Sequence, residues 1–109
     1  MKNYIQLIGH LGNDVELKEV GDGKKLARVS IATNESYKNA KGEKVTETQW
    51  HNLVAWGKTA EIMHQICNKG KEVCINGKLK HRKYDDKQGN TRYVSEVLVN
   101  EFMLIGKAQ

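Results

Sequence analysis

Trp50-His51-Asn52-Leu53-Val54-Ala55-Trp56-Gly57 is the stretch from which the rest of this chain can be read. Side chains of a strand alternate between its two faces. Leu53 and Ala55 therefore share one face, and Trp50, Asn52, Val54 and Trp56 share the other. Burial in a core is the ordinary fate of a strand tryptophan. Here the opposite face already offers two aliphatic residues to a core, and a polar amide sits between the rings. A small barrel also has little interior room for two indoles on one strand. The spacing predicts that the tryptophan face looks outward.

The pattern extends in both directions from this strand. Residues 4–11 read as a first strand, with Gly9 and Gly12 suggesting a bulge or sharp bend. Residues 15–20 alternate and continue it after the Asn13-Asp14 turn, and Gly21-Asp22-Gly23 is a second turn. Residues 26–33 form strand two, with Ala27, Val29 and Ile31 on one face. The polar stretch 35–48 fits a long hairpin arm leading into strand three at 48–56. Ala60, Ile62, Met63, Ile66 and Cys67 recur at helical spacing over 59–68, and Gly70 supplies a stop. Residues 72–84 are strand four, with Val73, Ile75 and Leu79 expected in the core, and residues 91–105 are a bent last strand. Five strands with one helix between strands 3 and 4 is the order of an all-β OB-fold, a five-stranded Greek-key barrel. Residues 1–106 are expected to form this single domain, with 107–109 a short C-terminal end.

Charge is informative by its location. The chain has 109 residues and a formal net charge of +5. Residues 69–92 hold eight cations against three anions, so the whole excess lies in one stretch and the remainder is balanced. A lysine-rich edge strand kept soluble by its charges would look similar, and so would a located footprint for a polyanion. The apolar runs are of strand length, too short to span a membrane. The N-terminus enters a strand pattern at once, with no signal-peptide core, and Cys67 and Cys74 stand apart among apolar neighbours. Buried free thiols and a cytoplasmic setting are expected.

Catalytic motifs are missing. Gly57-Lys58-Thr59 resembles the end of a P-loop, but Asn52 stands where its first glycine is required. His10, His51, His64 and His81 are scattered without metal-ligand spacing. No enzymatic activity, metal or cofactor is expected.

Tyr37, Trp50, Trp56 and Tyr84 are aromatic residues without an obvious internal partner. A second run, Lys78-Leu79-Lys80-His81-Arg82-Lys83-Tyr84, carries most of the surplus positive charge and ends in another aromatic. Flat rings next to a row of cations suit a flexible polyanion whose bases can stack, which is single-stranded nucleic acid.

Along almost its whole length the chain resembles the bacterial single-stranded DNA-binding protein family. The resemblance is carried by Leu7-Ile8-Gly9-His10-Leu11-Gly12, Ala32-Thr33-Asn34-Glu35-Ser36-Tyr37, and Gly42-Glu43 with Thr48-Gln49-Trp50-His51. It continues through Gly57-Lys58-Thr59-Ala60-Glu61, Lys69-Gly70, Ile75-Asn76-Gly77-Lys78-Leu79, Arg82-Lys83-Tyr84, Arg92-Tyr93 and Met103-Leu104. The resemblance implies an OB-fold, a homotetramer with His51 near the subunit contact, and DNA-stacking rings at Tyr37, Trp50, Trp56 and Tyr84. Phosphates would be tracked by Lys38, Lys58, Lys69, Lys78, Lys80, Arg82, Lys83 and Arg92. The implied activity is sequence-tolerant binding of single-stranded DNA in replication, recombination and repair, near the nucleoid.

Two features depart from the family. Asn52 follows Trp50-His51 where arginine is common, and the chain ends at Gly106-Lys107-Ala108-Gln109 without the usual acidic tip. Recruitment of replication enzymes through such a tip is therefore not expected. A tail-less primosomal accessory, an RNA-binding OB protein and a protein-docking OB module are the competing readings, the last because exposed Trp and Tyr also serve as interface hot spots.

Overall fold

A computed structural model describes residues 2–106. The expected short end at 107–109 lies outside the described residues. Seven elements follow in order: β1 (Ile5–Leu11), β2 (Glu16–Val20), β3 (Lys24–Lys38), β4 (Lys44–Trp56), α1 (Gly57–Ile66), β5 (Glu72–Asp85) and β6 (Thr91–Leu104). β1 and β2 both run antiparallel along β3, where Leu11 pairs with Ile31 and Glu16 with Arg28. Five steps on one side therefore meet three on the other, and residues 12–15 bulge out. The two segments are one bent strand, which leaves the expected five-stranded barrel.

The hydrogen-bonded order is β1-β5-β6-β4-β3-β2, and pairing of β1 with β3 closes it. Neighbours are antiparallel except β4 and β6, which run parallel at Leu53–Val97 and Val54–Leu98. The predicted arm at 35–48 is a regular ladder that continues to Lys38–Lys44.

The barrel holds small aliphatic side chains. Leu11, Val29, Ile31, Leu53, Ala55, Val73, Ile75, Val97 and Val99 fill it, and Ala60, Met63 and Cys67 of the helix segment close one end. Ile62 and Ile66 were expected in this packing but are exposed. Only the stripe at 60, 63 and 67 meets the barrel, so the neighbouring isoleucines face away. α1 begins at Gly57, two residues before the expected start, because Gly57 takes φ 63° and turns the chain straight out of β4.

Leu79 is also exposed, contrary to expectation. It follows the irregularity at Asn76/Gly77, beyond which the β5–β6 ladder runs out past the barrel to Asp85–Thr91. A side that faces the interior below that point faces solvent above it. Cys67 is buried and Cys74 only partly so, both as free thiols. Burial pushes the Cys67 thiol pKa up, an effect only partly offset by Lys71. No described helix is long and apolar enough to cross a membrane.

Two glycines allow the barrel to coil. A Cβ at Gly9 would fall on the carbonyl oxygen of Ala32, and one at Gly77 on that of Leu98. Neither oxygen can move without opening a ladder. Gly9→Ala and Gly77→Ala are each expected to lower stability by about 1–3 kcal/mol, as overpacking does. Thermal melts that match the parent protein would contradict these close approaches.

Candidate nucleic-acid interface

Residues opposite one another in a ladder point to the same side of the sheet. Arg28 pairs with Val54, Val54 with Leu98, and Leu98 with Lys78, which makes one row across β3, β4, β6 and β5. Adjacent rows on this outward face add Leu26–Trp56, Ser30–Asn52 and Ala32–Trp50 on one side. On the other side they add Lys80–Glu96, Arg82–Val94 and Tyr84–Arg92. The face is thus continuous over four strands, with the two indoles on β4 and the cations on β5. Trp50 is 62% exposed and Trp56 45%, while Leu53 and Ala55 behind them are buried.

Local contacts set the rings in place. The bulge at 12–15 is held by Asn13 Oδ1, which accepts from Ser30 N at 3.0 Å and Ser30 Oγ at 2.7 Å. A Cβ at Gly12 would overlap the six-membered ring of Trp50, so the bulge passes close beside that indole. Trp56 closes β4 and adjoins a cleft of about 510 Å³ that also includes Lys24, Lys25 and Lys58. On β5, the Arg82 guanidinium lies 5.8 Å from the centroid of the Tyr84 ring, within cation–π range.

The centre of the face carries a buried carboxylate. Glu96 on β6 is 7% exposed. It accepts from Arg28 Nη1 at 2.9 Å on one side and from Arg82 Nε at 2.8 Å on the other. Burial by itself would raise the Glu96 pKa, but hydrogen bonds from Arg82 and Arg28 outweigh it and hold the carboxyl below its ordinary range. The bond to Glu96 in turn raises the Arg82 pKa above its ordinary value. At the hairpin tip, Arg92 Nε donates to Asp86 Oδ2 at 3.0 Å. Asp86 is held low chiefly by the backbone N–H of Asn90, with Arg92 and Gln88 adding to it.

The expected residues divide between faces. Trp50, Trp56, Tyr84, Lys78, Lys80, Arg82 and Arg92 share the outward face, and Lys38 points the same way at the tip of the β3–β4 arm. Lys58 stands at the Trp56 end. Lys69 lies in the turn after α1, whose backbone N–H groups tie it to Asp14 Oδ1 and to Leu11 O at 2.8 Å each. Tyr37 pairs with Val45 on the reverse face of its arm, and Lys83 pairs with Tyr93 on the reverse face of the β5–β6 hairpin. His51 also faces the reverse side, hydrogen-bonded through Nε2 to Thr33 Oγ1 at 3.0 Å.

Two residues of this region escaped the sequence reading. Arg28 lies outside the charged stretch 69–92, and only its ladder position brings it to Glu96. Tyr93, at 77% the most exposed large hydrophobic side chain among the described residues, was visible as an aromatic beside Arg92. Among the described residues, no cluster of His, Cys, Asp and Glu could hold a metal ion.

The pattern of the single-strand binding protein family matches residues 2–105. The chain belongs to that family. Among its relatives, a single-stranded DNA-binding protein 1 from Chlorobaculum tepidum is 40% identical over 105 residues, 95% of this chain and 65% of the relative. Another of the same name from Xylella fastidiosa is 38% identical over 108 residues, 98% of this chain and 79% of the relative. The chain therefore spans roughly two thirds to four fifths of these relatives' lengths. A Plasmodium falciparum SSB solved in complex with ssDNA superposes with a TM-score of 0.89 at 25% identity, covering 97% of each chain. The family's barrel is the one described here.

The depressed carboxyls set an acid limit. A group whose folded pKa lies below its unfolded value stabilises fully above the unfolded value, and that stabilisation is lost as pH falls through the folded one. The melting temperature is therefore expected to drop below the ordinary carboxylate range, and Glu96→Gln should flatten that drop. An identical acid profile in both proteins would contradict the bridging role of Glu96.

Proposed function

We propose that this protein binds single-stranded DNA with little regard to sequence and protects it during replication, recombination and repair. The observation that carries the reading is the exposure of Trp50 and Trp56 on the same face as Lys78, Lys80 and Arg82. Bases stack on the indoles, with Tyr84 extending that face onto the β5–β6 hairpin and Tyr37 offering a ring on the reverse face of the β3–β4 arm to a strand that wraps around it. Each stacked base contributes about 1–3 kcal/mol, the range known for single-strand binders of this kind. Every base has a π-face, so affinity depends little on sequence.

Phosphates are neutralised by Lys78, Lys80 and Arg82 beside the rings, by Lys38, Lys58 and Lys69 at the margins, by Arg92 at the hairpin tip beside Asp86, and by Lys83 on the hairpin's reverse face where the strand wraps around it. Counterion release gives log K a slope of about −0.7 per neutralised phosphate against log salt. Duplex DNA hides its base faces and binds far more weakly.

A homotetramer fits this mechanism, because several copies on one strand multiply a modest single-site affinity. Three features support self-association. β1 pairs with β3 only at His10 and Leu11, and Gly9 packs against Ala32, so its edge over residues 5–8 is open. Ile8 and Met103 are exposed on the row they share with Cys74. His51 shares a cleft with Gln6 and Ile8, which agrees with a place near the subunit contact. A cytoplasmic, nucleoid-associated location follows from the activity.

Titration with oligo-dT, followed by intrinsic fluorescence and native mass measurement, tests the reading. Strong quenching with dT, little with duplex, and a tetrameric mass are expected. Trp50→Ala and Trp56→Ala should each weaken binding about 5- to 150-fold, the loss of one stacked base, with the far-UV melt nearly unchanged. Unchanged emission at saturating dT would end the proposal. A variant that unfolds would return its ring to the core.

A further inference from the structure

We propose that Arg28, Glu96 and Arg82 form a preset seat for one backbone phosphate, between a nucleotide against Trp56 and another on the Trp50 side. Arg28 makes the contact, and Glu96 is a positioning residue. The inference rests on the single-strand reading above and goes beyond it. On charge alone, a carboxylate at the centre of a polyanion surface opposes binding. A buried carboxylate in that position calls for a compensating role.

The geometry supplies one. Glu96 is buried, whereas the Arg28 and Arg82 side chains remain 39% and 46% exposed. They approach from β3 and β5, the strands on either side of the β4–β6 pair, and leave the trio with a net charge of +1. Arg28 uses only Nη1 on Glu96, and its other guanidinium nitrogens make no hydrogen bond among the described residues. A guanidinium held by one edge keeps the other edge available to a phosphate. It is also ordered before the ligand arrives, which removes an entropic cost of binding. Because the arginines hold Glu96 ionised, the tether persists at neutral pH.

The trio forms a ridge between two clefts. One, of about 470 Å³, has Leu26, Val54 and Leu98 as its apolar lining and Trp56 as a wall. The other, of about 420 Å³, is lined by Asn13, Ser30 and Asn52, with Glu16 at its β2 side and Val29, Leu53 and Val94 as its apolar part. Arg28, Arg82 and Glu96 border both. A base fits the first against the indole, the next nucleotide meets the amides of Asn13 and Asn52 in the second, and the phosphate joining them crosses the ridge.

Glu96→Gln separates this account from simple repulsion by sign. The substitution adds one unit of positive charge. If Glu96 only repels DNA or braces the barrel, oligo-dT binds the folded variant as tightly as the parent, or more tightly. A seat predicts weakening of about tenfold, equivalent to one charge-assisted hydrogen bond. Arg28→Ala should weaken binding similarly and reduce the salt slope by about 0.7. Arg28→Lys should weaken it with the slope kept, because the charge remains and the fork is lost. Equal or tighter binding by E96Q, or an unchanged slope in R28A, overturns the proposal. If E96Q does not fold, the Arg28 pair decides. Failure of the parent protein to bind dT would remove the single-strand reading instead.

Discussion

The pairing of β1 with β3 at Leu11–Ile31 closes the sheet, and closure limits what the interior can hold. Val29, Ile31, Leu53, Val73, Ile75 and Val97 nearly fill that space, with Met63 entering from α1. An indole could enter only by displacing several of them. Because strand side chains alternate, placing Leu53 and Ala55 inside sends Trp50, Asn52 and Trp56 outward. A slip of one residue would reverse both sets. The outward rings are therefore the counterpart of a narrow core, and the register that stabilises the barrel also builds the face.

Electrostatics refine this picture. The surplus of positive charge between residues 69 and 92 is continuous in sequence but divided in space. Lys78, Lys80 and Arg82 line the face with the rings, Lys83 points to the opposite side, and Arg92 is paired with Asp86. Arg28 joins the face from a strand with no charge excess, and Glu96 offsets part of the gain. The field at the groove thus depends on strand parity and on one buried carboxylate as much as on composition.

Much of this was legible in the sequence wherever period two met a clear difference in size. Leu53 and Ala55 against Trp50 and Trp56 is such a case, and it gave both the core and the site. The strand order and the helix position followed from similarly regular segments. The reading failed where the environment changes along an element. Leu79 keeps the parity of Val73 and Ile75 but lies past the point where β5 leaves the barrel. Ile62 and Ile66 fit a helical apolar face wider than the stripe that docks. The Arg28–Glu96 contact joins residues 68 apart through register alone, and no local pattern announces it. The face occupied by Tyr37 likewise depends on its pairing with Val45.

The central claim is that single-stranded DNA lies on the outward indoles. The chain has two tryptophans, so an amide correlation NMR spectrum should contain two indole N–H signals, one from each ring. Addition of oligo-dT is expected to move both, and the same concentration of duplex is expected to leave them close to their free positions. Binding of oligo-dT with both indole signals unmoved would contradict the account.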